Sequence, residues 1–280
     1  MLFGANGTTP LGNALQGIII DNGAQGNVIG LSVSGAGAGN LIADNVFEGI
    51  ILYDVATVGN TIRGNALFNN GSLGLNLVGG IEDGFGVTAN HHGGPVPGPN
   101  NLQNYPSLAA FGYPGASLIP GTLNSAPGHS YLIDLYWNAA ADPSGHGEGQ
   151  LYLGHASLNT DASGNGTFTF LTTSNLAGGN FSATATDATT GDTSEFSADV
   201  ASTSGPPEFI GALTKGSSGF SFSLLLQTNV GYHIQATTNL GAHPIVWSNL
   251  TSFVASASPF QFTDHAATNI PARFYRAVSP

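Results

Sequence analysis

Gly26-Asn27-Val28-Ile29-Gly30, Gly39-Asn40-Leu41-Ile42-Ala43-Asp44-Asn45 and Gly59-Asn60-Thr61-Ile62-Arg63-Gly64-Asn65 repeat one theme in the first third of the chain. Around them stand Gly17-Ile18-Ile19-Ile20, Gly49-Ile50-Ile51-Leu52 and Gly74-Leu75-Asn76-Leu77. The unit is a short apolar strand, a Gly/Asn corner and another short strand. Strands this short do not stand alone, so the units must stack and bury their inward side chains in one column. Alternate strand positions point inward, which selects Ile18, Ile20, Ile29, Ile42, Ile50, Leu52 and Ile62 for that column. The corners need a positive φ or a close backbone approach, which Gly supplies and Asn tolerates. An Asn amide also reaches the equivalent Asn one coil away, so Asn27, Asn40 and Asn60 read as a structural ladder. The spacing is uneven, 13 residues from Asn27 to Asn40 and 20 from Asn40 to Asn60. Either loops of unequal length leave one side of the coil, or two corners per coil carry the motif.

Working outward, the repeat stops near Gly80. Residues 81–107 are rich in Pro and Gly and read as a connector loop. Residues 108–202 hold short alternating runs, among them Tyr131-Leu132-Ile133-Asp134-Leu135-Tyr136-Trp137 and Asn180-Phe181-Ser182-Ala183-Thr184-Ala185-Thr186, separated by turn clusters. That pattern suggests an Ig-like β-sandwich. Thr203-Ser204-Gly205-Pro206-Pro207 reads as a linker into a small C-terminal β module, residues 203–280. The expected fold class is all-β: parallel β-helix coils over 1–80, the connector, the sandwich and the small module.

Composition narrows the function classes. Only 7% of the 280 residues are charged, and the net charge is −12. The four cations, Arg63, Lys215, Arg273 and Arg276, are dispersed. Nucleic acid and anionic membrane surfaces both need clustered cations, so neither is an expected partner. No run is long and apolar enough for membrane insertion. The chain has no Cys, hence no disulfide framework and no thiol chemistry. Met1-Leu2-Phe3-Gly4 lacks the basic and apolar stretches of a signal peptide. Gly12-Asn13 already resembles a corner, so the chain reads as the C-terminal part of a longer secreted protein, or as a stack whose open end a partner covers.

Taken together, the repeats of the first 105 residues resemble the right-handed parallel β-helix proteins of long bacterial surface and secreted polypeptides. Gly98-Pro99-Asn100-Asn101-Leu102-Gln103-Asn104-Tyr105-Pro106 resembles the junction that closes such helices. Asp142-Pro143-Ser144-Gly145-His146-Gly147-Glu148, Thr184-Ala185-Thr186-Asp187 and Asp192-Thr193-Ser194-Glu195 are similar to motifs of the immunoglobulin-like domain that follows. The resemblance implies an extracellular or cell-surface location and adhesion or glycan contact. His91-His92 stands where that family's connector is rich in Asp, which puts a calcium site there in doubt.

Candidate chemistry is sparse. Asp142, Glu148, Asp187, Asp192 and Glu195 fall in predicted turns of the sandwich and are candidate Ca2+ ligands, since Ca2+ takes hard oxygen donors. His91-His92, with Asp83 and Asn90, is the candidate transition-metal site. Asp44 and Glu48 are the candidate carboxylate pair for polysaccharide cleavage, which needs two carboxyls across a cleft. Tyr136, Trp137, Tyr152 and Trp247 are candidate glycan or interface aromatics, and of the adjacent Tyr136 and Trp137 one should face outward. No nucleophile elbow, P-loop or dinucleotide fingerprint appears. The leading expectation is a non-catalytic extracellular structural or adhesive module that contacts polysaccharide. A self-assembling subunit of a fibre or surface layer and a polysaccharide lyase or hydrolase fragment are the alternatives.

Overall fold

Three-residue strands gain stability only from neighbours, and the first third of the chain supplies those neighbours by stacking. In the computed structural model, which describes residues 2–3, 10–174, 176 and 178–279, Ile18–Ile20, Ile50–Leu52 and Leu75–Leu77 pair in parallel in that order. Val28–Gly30 pairs in parallel with Thr61–Arg63, and Leu41–Ala43 with Ala66–Phe68. Each coil therefore contributes one short strand to each of three faces. Ile20, Ile42, Ile50, Leu52 and Ile62 are buried in one cluster, and Ile18 and Ile29 pack against it half-buried. Leu67, Leu75 and Leu77 complete the column. Met1 and Gly4 of the opening stretch lie outside the described residues.

Three corners per coil carry asparagines, so the ladder is divided differently from the expectation. Asn27 Nδ2 donates to Asn60 Oδ1 (2.8 Å), and Asn60 N donates to Asn100 Oδ1 (3.0 Å). Asn40 belongs to a second ladder, with Nδ2 donating to Asn65 Oδ1 (2.9 Å). Asn13, Asn45 and Asn70 form a third, through Asn13 N to Asn45 Oδ1 and Asn45 Nδ2 to Asn70 Oδ1. The rungs are 33, 25 and 25 residues apart at Asn27–Asn60, Asn40–Asn65 and Asn45–Asn70. The longer first coil holds a small excursion between Gly30 and Gly39, closed by a bridge from Leu31 to Gly37. Gly30 itself (φ 92°) sits so close to the Arg63 carbonyl that no side chain would fit.

Ser130–Asn138 is the centre of the next layer. It pairs antiparallel with Leu151–Asn159 on one side and with Asn180–Asp187 on the other. A second sheet brings Ala116–Asn124 beside Ser107–Leu108 and Asn165–Thr172. Ile119, Leu123 and Phe168 from one sheet and Ile133, Leu135 and Phe181 from the other fill a common core. Two sheets packed face to face over one core make a sandwich. This sandwich and the coil stack form one compact unit, residues 1–110, 118–172 and 176–202, rather than separate modules.

The second unit holds residues 203–280 with the short segments 111–117 and 173–175. Its sheets are Glu208–Gly216, Gly219–Leu225 and Phe260–Asp264, and Ser248–Val254, Gly231–Thr237 and Phe274–Val278. Phe222, Leu224, Tyr232 and Ile234 lie at its core. The expected linker is not free here. Thr203–Ser204 pairs in parallel with Phe111 and Gly112, and Gly205 lies against the Tyr113 ring where a Cβ would collide. The sequence offered Pro-Pro as a break, but the backbone just before it finds a partner strand. The described residues contain no α-helix, only 3-10 turns at Pro99–Leu102 and His265–Asn269.

Candidate functional site

A parallel stack that stops exposes a row of unpaired N–H and C=O groups, and such an edge must be paired or capped when it is buried. The last coil of this stack is closed by the sandwich, group by group. Leu77 N donates to Glu195 Oε1 (2.9 Å), and Thr88 N donates to Glu195 Oε2 (2.9 Å). Thr88 Oγ1 returns a bond to Leu77 O (3.0 Å), so both backbone groups of Leu77 are satisfied. On the second face Ile62 N donates to Thr193 Oγ1 and Thr61 Oγ1 to Gly191 O. Gly59 N donates to Asp192 Oδ1 (2.6 Å) at the corner before it. On the third face Leu67 and Gly149 exchange both backbone bonds. Asn70, the last rung of its ladder, gives its Nδ2 to Glu148 Oε1 (2.5 Å) and its N to Glu148 Oε2 (3.2 Å).

Asn100 ends the ladder of Asn27 and Asn60. Its Nδ2 donates to Asn60 O and Thr193 O, tying the ladder to the sandwich. Asn100, Asn101 and Leu102 all have left-handed backbone (φ 44°, 51° and 43°). Asn tolerates that region and Leu does not, so the buried Leu102 is held there by its packing against the column.

Arg63 Nη2 meets Asp134 Oδ1 at 2.6 Å, with both side chains withdrawn from water. Arg63 Nη1 also donates to Ser32 O (2.9 Å), so one guanidinium joins first coil, second coil and sandwich. Burial pushes the Asp134 carboxyl up, and the Arg63 charge pulls it back down. Burial pushes Glu148 up to about 7 against the bonds from Asn70. It pushes Glu195 up to about 8 against the backbone bonds from Leu77 and Thr88. In both glutamates the loss of water outweighs the hydrogen bonds gained.

These placements bear directly on the candidate residues. Among the five candidate Ca2+ ligands, Glu148, Asp192 and Glu195 are spent on coil groups. Asp187 accepts from His129 Nδ1 and Thr189 N, and Asp142 from Ser144 N. Among the described residues no three His, Cys, Asp or Glu are grouped to hold a metal ion. At Asp192 and Glu195 backbone N–H groups occupy carboxylate oxygens that a cation would need. Near the connector, His91 Nε2 donates to Leu102 O, Asp83 Oδ1 accepts from Phe85 N and Val87 N, and Asn90 bonds Tyr105. Asp44 Oδ1 accepts from Asn69 Nδ2 at a coil corner.

The aromatic expectations also change. Tyr136 is 2% exposed and out of a glycan's reach; its OH accepts from Gly64 N (3.1 Å), and its ring joins the coil column. Trp137 packs on the sandwich core, and its Nε1 donates to Gly178 O. Neighbouring side chains do point to opposite faces, but the outer face here is the coil stack and not water. Tyr152 is half-buried with its OH on Asp134, and Trp247 lies under the Arg276 guanidinium at 4.4 Å. Reading the sequence missed Asn65, Asn70, Asn100 and the Arg63–Asp134 pair as closure residues. Gly64-Asn65 repeats the corner motif, and Arg63 is the one cation of the first 200 residues, which were the available signals.

No family model matches the chain, and no curated protein matches it. Among solved structures, the crystal structure of chicken CNTN1 FN1-FN3 domains is similar at 11% identity and a TM-score of 0.22. The likeness covers 63% of this chain and 63% of that one, less than two thirds of its length. A TM-score that low carries no argument about fold or function.

Proposed function

We propose that the chain is a non-catalytic extracellular structural and adhesive module that contacts glycans. Its architecture on this reading is a short right-handed parallel β-helix, an Ig-like β-sandwich that closes it, and a small C-terminal β domain. The observation that supports it best is where the acidic side chains go. Glu148, Asp192 and Glu195 are each committed to coil backbone or ladder amides, which suits a scaffold that uses its acids to close its own backbone. The test is incubation with a panel of insoluble polysaccharides. The protein should co-sediment with at least one of them and release neither new reducing ends nor unsaturated products. Released product would overturn the non-catalytic reading, and failure to co-sediment with any would remove the adhesive half.

A second reading, a self-assembling subunit of a fibre or surface layer, has its own observation. Ile18–Ile20 has a strand partner on one side only among the described residues, and Ile19 and Val28 are at least half exposed on that coil. An apolar strand edge of that kind favours end-to-end addition. Negative-stain microscopy over a concentration series decides it: regular filaments support this reading, dispersed particles at every concentration end it.

A further inference from the structure

A cleft of about 350 Å3 opens beside the closure, in the volume range of small-ligand sites. One wall is the last coil's corner, Phe68, Asn69 and Asn70. The other is the end of Ser130–Asn138, the loop that follows, and Gln150, with Glu148 in the lining between.

The walls are held in place before anything binds. Glu148 is fixed by its two bonds from Asn70. Gln150 N donates to Asn138 Oδ1 (2.8 Å), and Ala139 N donates to Gln150 Oε1 (3.0 Å). Asn138 Nδ2 is anchored on Ser182 Oγ (3.0 Å). A preformed polar site loses little conformational entropy on binding. Two groups keep spare capacity: among the described residues Gln150 Nε2 has no acceptor and Asn69 Oδ1 no donor. Both residues belong to the cleft's lining and bring one donor and one acceptor to it. Phe68, half-buried, adds an apolar ring.

The lining selects the chemistry of the occupant. No Lys, Arg or His lines the cleft, and the chain carries −12, so an anion finds no counter-charge. Asp142 and Glu148 are the carboxylates of the lining, and both already accept hydrogen bonds. Two committed carboxylates fall short of the six to eight oxygens that Ca2+ takes. Side-chain amides beside an aromatic ring match a neutral sugar, whose hydroxyls donate and accept while its C–H face packs on the ring.

We propose that this cleft binds a neutral oligosaccharide, with Gln150 Nε2 and Asn69 Oδ1 as its hydrogen-bonding groups and Phe68 as its packing face. The inference rests on the glycan-contact reading above and narrows it to one site and one charge class. The test is titration of 15N-labelled protein with neutral trisaccharides (gluco-, manno-, xylo- and N-acetylglucosamine-based) and with trigalacturonate as the anionic control. A neutral trisaccharide should bind saturably and shift the amide signals of residues 68–70, 139–142 and 150, and trigalacturonate should not. Gln150→Glu keeps the acceptor for Ala139 N and removes the Nε2 donor, so it should weaken binding by roughly tenfold, as should Asn69→Ala. Gln150→Glu should melt within about a degree or two of the parent, whereas Asn69→Ala, at a left-handed corner (φ 57°), should melt a few degrees lower with the remaining cleft signals in place. Binding that shifts signals elsewhere, or is unchanged in both variants, overturns the cleft and leaves glycan contact standing. No binding by any neutral trisaccharide overturns the cleft, and co-sedimentation with polysaccharide then reports separately on the broader reading.

Discussion

Arg63 and Asp134 show how much one pair of side chains carries in this molecule. Two charges at 2.6 Å, both shielded from water, are costly to bury and costlier to separate. Asp134→Ala strands a guanidinium inside the protein and should lower unfolding free energy by about 3–5 kcal/mol. Replacing both partners, Arg63→Met with Asp134→Leu, should recover most of that loss. Urea denaturation of Arg63→Met, Asp134→Leu and the double variant measures the cycle, and additive losses would mean the pair is not coupled. Tyr136 is a second such residue. Tyr136→Phe removes the acceptor for Gly64 N in a closed interior and should cost about 1–3 kcal/mol in the same assay. The sequence disclosed that Arg63 was isolated in its half of the chain, but not its partner 71 positions away. A long-range ion pair leaves no local pattern to read.

At the level of elements, the acids that hold the coil edge make stability depend on pH in an unusual direction. The Glu195 carboxyl stands at about 8 in the folded protein, against an ordinary 4.5. The folded chain therefore keeps a proton that the unfolded chain releases. Stability from this group is full below about pH 4.5 and drains away as pH rises to about 8. Glu148, at about 7, adds a contribution of the same sign over the lower part of that window. Melting temperature should fall by on the order of 10 °C between pH 5 and pH 8. Glu195→Gln, which cannot ionise, should flatten the slope while lowering stability at pH 5. An unchanged slope in that variant would place the titrating group elsewhere. The corners tell a different story about legibility. Ile50, Leu52 and Ile62 were readable as column residues because strand alternation is local. Which asparagine meets which was not, because 33- and 25-residue rungs arise from an excursion whose length the motif does not encode. The sandwich carboxylates looked like ligands for the same reason that they serve as caps: an acceptor-rich turn suits a cation and a backbone N–H equally well.

Across the whole molecule, the sequence reads as four parts and the chain folds as two units. Turn clusters and composition shifts mark where elements begin, and they carry no information on which elements share a core. Tyr136 and Phe196 lie in the same cluster as Ile50 and Leu75, so coil stack and sandwich should lose structure together. Differential scanning calorimetry should give one transition for the first unit and another for the second. Glu195→Ala should lower the first alone, and Ile234→Ala, in the separate core around Phe222 and Leu224, the second alone. Three resolved transitions would mean that the stack and the sandwich are independent after all. The excursion between Gly30 and Gly39 has a consequence for how such a chain changes over time. Adding or deleting a whole coil near Leu75 would carry the last rungs out of reach of Glu148 and Glu195, and a single lost residue at a corner would throw three ladders out of step. The stretch from Leu31 to Gly37 bears no rung of any ladder, and Ser34, Gly35 and Ala36 at its tip are exposed. Insertions and deletions should accumulate there, and a foreign peptide grafted at Ser34 should leave the register of the coils intact.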